Sequence, residues 1–91
     1  MNQAIQFPDR EEWDALAGRV CFPVLISGML AECIVSESLL YRRYGRGEAA
    51  LIIFQQNRWD IEEEFEALIE QDLECECYML LEDKYLFFHS T

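Results

Sequence analysis

Residues 51–68 read LIIFQQNRWDIEEEFEAL, and how this stretch is read decides the fold. Leu51, Phe54, Arg58, Ile61, Phe65 and Leu68 follow one another at spacings of 3, 4, 3, 4 and 3. That period keeps all six side chains on one side of an α-helix. The phase does not break, so Glu48 to about Gln71 is expected to form one long helix whose inner seam carries a cation. The competing reading is a break near Trp59, because Asp60 with Glu63 resembles a capping box. The β-branched pair Ile52-Ile53 leaves a strand open for the first part of the segment. The two halves also differ in character. Residues 49–54, AALIIF, are apolar nearly all round and call for burial on more than one side. In the second half Ile61, Phe65, Leu68 and Ile69 share one arc, and acids fill the remainder.

Upstream, Ser36 stands where an N-cap belongs, and Glu37 to Tyr44 reads as a short helix ended by Gly45. Leu40, Tyr41 and Tyr44 cluster on one side of it. Arg42, Arg43 and Arg46 project from the other, with Leu39 among them. Before this helix, Val20 to Ile26 and Met29 to Val35 are β-rich runs joined at Ser27-Gly28, a hairpin signal. Pro23 cannot donate to a ladder and points to an edge or bulge. Asp9 to Arg19 reads as a loop or short helix leading to Gly18, and Ala4 to Phe7 as a short strand stopped by Pro8.

Downstream, Glu74 to Leu81 and Lys84 to His89 form two further runs, with Glu82-Asp83 as the turn. Cys75, Cys77, Met79 and Leu81 alternate with more polar neighbours, as the inner face of a half-buried strand would. Tyr85, Phe87 and Phe88 make the second run one that needs pairing and cover. The expected architecture is therefore α+β: a small antiparallel sheet packed against one short and one long α-helix. At 91 residues the chain is expected to be a single domain over 1–91.

Eighteen acids against seven bases give a net charge of −11. Nine of the acids lie between Asp60 and Glu76 with no base among them. Such a surface repels phosphate backbones and anionic membranes, which disfavours nucleic acid as a partner. The acidic run reads either as a solvated helix face plus a loop or as an acidic docking surface or DNA mimic. The start, MNQAIQFPDREEWD, lacks the basic region and apolar run of a secretory leader. The longest apolar runs are too short to span a bilayer, so a cytoplasmic protein is expected. Cys21, Cys33, Cys75 and Cys77 contain no C-x-x-C pair and fit free thiols in a reducing compartment. The lone histidine, His89, has no ligand-spaced companions, so neither a metal nor a cofactor is expected.

Catalytic groups are equally hard to find. The serines and His89 show no triad arrangement, and Gly45 and Gly47 around Arg46 lack the lysine and hydroxyl of a P-loop. No catalytic residue is assigned. Arg58 is the side chain to single out, because an unpaired buried guanidinium is very costly. Glu62, one turn on, is the nearest partner in sequence. Arg58→Met is expected to be tolerated better than removal of a buried carboxylate partner, because a flexible apolar side chain can fill the seam and an orphaned charge cannot be solvated there. The alternative is an anion-binding site formed by Arg58 with Arg42, Arg43 and Arg46. A partner interface is the other candidate: Ile52 and Trp59 are seven residues apart, with Ile53 beside them, and all lie off the main seam.

Several passages resemble a small bacterial family known as domain of unknown function 1488. They are Ile5-x-Phe7-Pro8, Trp13-Asp14, Val20-x-Phe22-Pro23, Cys33-Ile34-Val35-Ser36 and, most specific, Phe54-x-x-x-Arg58-x-x-Ile61-Glu62. The resemblance covers roughly residues 3–72. It implies a compact α+β fold and a helix over Ala49 to Phe54, and it brings no activity, cofactor or site residue. The sequence therefore points to a small accessory protein that binds another protein or forms a homodimer. A small-ligand or anion-binding regulatory domain is the alternative, and an enzyme a weaker one.

Overall fold

The computed structural model describes residues 5–81 and 84–88. Along the chain these form β1 (Ile5–Gln6), β2 (Glu12–Asp14), β3 (Arg19–Ile26), β4 (Met29–Ser36), α1 (Glu37–Tyr44), α2 (Ala50–Gln56), α3 (Arg58–Gln71), β5 (Cys77–Leu81) and β6 (Lys84–Phe88). The strands make one sheet in the order β1-β3-β4-β5-β6, with β2 also paired to β3. The class is α+β, as expected.

The β3–β4 hairpin is set by its turn. Ser27 and Gly28 take φ of 53° and 83°, the left-handed pair that matches the twist of the flanking strands. Ile26 stands opposite Met29 and Pro23 opposite Glu32. Counting from a two-residue turn, Pro23 falls at a pair without ladder hydrogen bonds, so its missing N–H faces the other edge. There β1 covers Leu25 and Ile26 and β2 covers Arg19 to Cys21, which leaves a gap beside the proline. Pro23 thus sits in a strand with neighbours on both sides, at a stretch of its edge that no strand among the described residues covers.

Three details of the sheet depart from the expected architecture. Residues 12–14 form a strand rather than loop or helix, with Trp13 opposite Val20. Asp14 makes this work: its carboxylate accepts from the Ala17 N–H at 3.2 Å and from Arg19 Nε at 3.2 Å. Its carbonyl takes the N–H of Gly18, at φ 67°, and so closes the turn. The sheet is mixed rather than wholly antiparallel, because β5 runs parallel to β4 with Tyr78 beside Cys33. The inward phase of β5 is also the reverse of that expected: Tyr78 and Leu80 are buried, and Cys77, Met79 and Leu81 are half-buried. Tyr78 counts as core because its hydroxyl donates to the Asp72 carbonyl at 2.5 Å, just beyond α3.

The long helix is two helices. Asn57, at φ −117° and ψ 24°, separates α2 from α3. Its side-chain Nδ2 donates to the Ile53 carbonyl at 2.9 Å, and its backbone N–H reaches both Ile53 and Phe54. A side chain that bonds the preceding turn competes with helix propagation. One intervening residue barely shifts the apolar phase, so Phe54 and Ile61 are buried on either side of the break. The shorter helix follows expectation: Ser36 Oγ accepts from the Leu39 N–H at 3.1 Å, and Gly45 ends it at φ 87°.

Phe22 sits at the centre of the core. Its ring lies 4.8 Å from Phe54, 5.1 Å from Phe65 in an edge-to-face contact, and 6.1 Å from Phe7. Every buried residue of the three helices belongs to this core, together with Val20, Phe22, Val24, Cys33, Val35, Tyr78 and Leu80 of the strands. All the helices therefore pack on one face of the sheet. The backbone pairing expected for the last two runs is present, with Leu80 opposite Tyr85. The expected turn at Glu82-Asp83, and His89 and Ala4, lie outside the described residues.

Candidate functional site

Arg58 opens α3 and turns its guanidinium toward the β1–β2 connection. Nε donates to Glu62 at 2.5 Å and Nη2 to the Pro8 carbonyl at 2.9 Å. Nη1 donates to Glu11, and Asp9 lies 3.1 Å from Nη2. The Phe54 ring backs the cation at 5.6 Å. Glu62 is thus a partner, as the i, i+4 spacing suggested, but two more carboxylates join it from residues 9–11. Burial opposes ionisation of Glu11, yet hydrogen bonds from Arg58, its own backbone and Gln55 outweigh it and hold the carboxyl below its ordinary range. At Glu62 burial wins over the Arg58 charge, and the carboxyl is raised. A hollow of about 400 Å³ opens beside Arg58 at the helix break. An anion reaching the guanidinium would meet three carboxylates around one cation.

The α1 arginines engage other groups. Arg43 makes a two-pronged pair with Glu64 of α3, at 2.5 and 2.9 Å. Arg46 lies over the Tyr41 ring at 5.1 Å, and Arg42 is exposed. Arg58, Arg43 and Arg46 are therefore spread over separate contacts: three carboxylates for Arg58, Glu64 for Arg43, and a ring for Arg46. Of the apolar trio, Trp59 is 85% exposed and Ile52 40%, whereas Ile53 is 3% exposed and packs in the core. Ile53 leaves the expected patch because the first half of the helical segment is wrapped by both the sheet and α1. Trp59 borders a shallow hollow of about 270 Å³ with Phe7, Glu62, Glu63 and Glu66.

A third surface was not singled out from the sequence. The sheet face opposite the helices carries Arg19, Cys21, Pro23 and Leu25 of β3, Leu30, Glu32, Ile34 and Ser36 of β4, and Cys77, Met79 and Leu81 of β5. Eight of these eleven side chains are apolar or thiol, and Arg19 at one end is paired with Asp14. Leu30 is 70% exposed, while Ile34 is buried between its strand neighbours and lies outside the main core. An open groove of about 600 Å³ crosses this face, lined by Arg10, Glu12, Cys21, Pro23, Leu30, Glu32 and Glu76 among others. An antiparallel pair with one wet face normally alternates apolar with polar residues. Here VCFPVLI and MLAECIV hardly alternate, and that lapse was the available signal.

Comparison with known proteins gives the family. The family described as "Protein of unknown function (DUF1488)" matches residues 5–81. The chain belongs to the DUF1488 family. Its bacterial relatives include an uncharacterized protein, YrdB, of Escherichia coli, 57% identical over 76 residues, which take in 81% of this chain and 89% of that protein. The YrdB of Shigella flexneri is 55% identical over the same shares. A crystal structure of a DUF1488 protein of unknown function from Shewanella loihica has a TM-score of 0.77 and 30% identity, and covers 88% of this chain and 94% of that one. The resemblance seen in the passage from Phe54 to Glu62 holds and continues through β5.

Among the described residues of this DUF1488 chain, no group of three or more His, Cys, Asp and Glu side chains could hold a metal ion. None of the four cysteines is in a disulfide. Burial raises all four thiols above their ordinary pKa, and Glu32 adds to this for Cys21 and Cys77. At neutral pH the native protein should accordingly react slowly with a thiol reagent, first at half-buried Cys21 and Cys77. In denaturant without reductant all four should titrate; recovery of two or none would show that disulfides form.

Proposed function

We propose that the protein is a small cytoplasmic accessory module that works by binding another protein through the open face of its sheet. The observation that carries this reading is the apolar floor of that face. Leu25, Leu30, Met79 and Leu81 occupy positions where a sheet surrounded by water would carry polar side chains. Four cysteines outside disulfides fit a reducing compartment. No helix among the described residues is long and apolar enough to cross a membrane. Charge of −11 disfavours a nucleic acid and also a second equally charged copy.

The test places a photo-crosslinking amino acid at Leu30, and separately at Glu66 and at Trp59, in the native host. A discrete heavier adduct containing a second polypeptide from Leu30, and none from Glu66, is the expected result. No adduct from Leu30 would defeat the reading. A second reading, self-association through Ile52 and Trp59, is favoured by the 85% exposure of Trp59. Light scattering decides it: a particle of about twice the chain mass that Trp59→Glu halves would establish the dimer.

A further inference from the structure

Resting on the protein-binding reading above, we infer that the occupant of the open sheet face is an amphipathic helix of a partner protein, its apolar stripe flanked by lysine or arginine. The geometry of the face sets the shape. Neighbouring strands lie about 4.8 Å apart, so β3, β4 and β5 together offer a track about 10 Å wide, the diameter of one helix. The eight residues of β3 and β4 give it a length of about 26 Å, room for some four helical turns, three strands wide where β5 pairs with Glu32 to Val35 and two strands wide toward the hairpin turn. An added strand finds less purchase at the β3 edge that borders the groove. The outer edge of β3 is already held by β1 and β2, and its bare stretch carries Pro23, which has no N–H to give. The opposite face of this sheet already accepts helices on stripes of Leu, Ile and Phe, so its twist suits such packing.

Charge sets the chemistry. The groove holds three carboxylates, Glu12, Glu32 and Glu76, against one guanidinium, Arg10. Glu32 stands in the middle of the apolar floor, opposite Pro23 on one side and Cys77 on the other. A partner stripe must therefore bring a cation to the centre as well as to the rim. An anionic or purely apolar helix would leave Glu32 covered and unpaired, which is costly. The net charge of the chain steers the same kind of partner toward it from a distance.

The probes are three synthetic peptides of about 18 residues, long enough for a helix over the track. One is Leu/Lys with helical period, one has the same composition in strict alternation, and one is Leu/Glu with helical period. They are titrated against the full chain, with amide chemical shifts recorded for every residue. The helical Leu/Lys peptide should bind and shift the amides of Pro23's neighbours, Leu30 and Glu32. The other two should bind about tenfold more weakly, or not at all, a margin that one or two lost ion pairs supply. Leu30→Ser should weaken binding several-fold while its spectrum stays that of the folded protein, since the side chain is mostly in water already. Glu32→Gln should do the same.

Shifts confined to Glu63, Glu66 and Glu70 on α3 would overturn the proposal, because they would mark charge attraction alone. Equal binding of the alternating peptide would overturn the helical occupant, and a dimer abolished by Leu30→Ser would replace it with a second copy. If the helical Leu/Lys peptide fails while a crosslinker at Leu30 still captures a polypeptide, the helix is wrong and the binding reading stands. If both fail, both are wrong.

Discussion

Phe22→Ala is expected to remove most of the stability of the fold. The ring is 1% exposed and meets Phe54 of α2, Phe65 of α3 and Phe7 after β1. Truncating a buried phenylalanine costs about 3–5 kcal/mol, from lost transfer free energy and the cavity left behind. Its aromatic contacts each add roughly 0.5–1.5 kcal/mol. Domains of this size hold only about 5–14 kcal/mol in total. The site has little means of collapsing, because three separate elements converge on the one ring. Urea melts should show a much lower midpoint with an unchanged slope, and Phe22→Leu should lose about 1–1.5 kcal/mol. A loss under about 1 kcal/mol for Phe22→Ala would mean that the helices hold to the sheet through other contacts.

The second large effect is at Arg58, and the geometry reverses the expectation drawn from a simple pair. Arg58→Met removes the single cation from among Asp9, Glu11 and Glu62, leaving three carboxylates facing one another with Glu11 and Glu62 mostly buried. Glu11→Gln, by contrast, leaves Arg58 with Glu62 and Asp9. The expected loss is about 2–3 kcal/mol for Arg58→Met, below the full cost of breaking a buried pair because Asp9 is in water. Glu11→Gln should cost about 1 kcal/mol.

The pH dependence supplies the sign. In the unmutated protein the carboxyl of Glu11 is held low, so its contribution is present above the ordinary carboxylate range and is lost as pH falls through the lowered value. Glu62 works in the other direction: its raised carboxyl costs stability once ionised, and protonation relieves that cost. Without Arg58 the carboxyls of Glu11 and Glu62 both lose a group that favours their ionised form and move upward. The gap between the two proteins should then be widest near pH 7 and narrow as the pH falls toward about 5. Thermal melts across that range test it; a gap that widens on acidification would refute the account.

Much of this fold could be read from local chemistry. Ser27-Gly28, Ser36 and Gly45 each dictate a turn or a cap through their own backbone preferences, and the structure follows them. What escaped reading was decided by small margins or by distant partners. Asn57 breaks the helix without disturbing the apolar phase, so periodicity alone could not see it. Glu12 to Asp14 form a strand only because β3 is there to pair with and Asp14 fastens the turn between them. The parallel placement of β5 depends on where three helices deliver the chain. At Arg58 one partner was visible at i, i+4, while Asp9 and Glu11 lie almost fifty residues away along the chain. The open sheet face hid in plain view, since strands apolar on both sides look like better core rather than like surface.

The parallel pairing of β4 with β5 has a kinetic consequence. The β3–β4 hairpin can close as soon as Ser27 and Gly28 turn, within microseconds. The next rung of the sheet must wait, because all of residues 37–76 lie between Ser36 and Cys77. Closing so long a loop is the slow event of assembly, rewarded only once the helices have packed. During synthesis the chain therefore leaves the ribosome with the edge of β4 bare and Cys33, Ile34 and Val35 uncovered. In that interval the half-made sheet is open to pairing with another nascent copy, and the arrival of Cys77 to Leu81 ends the exposure.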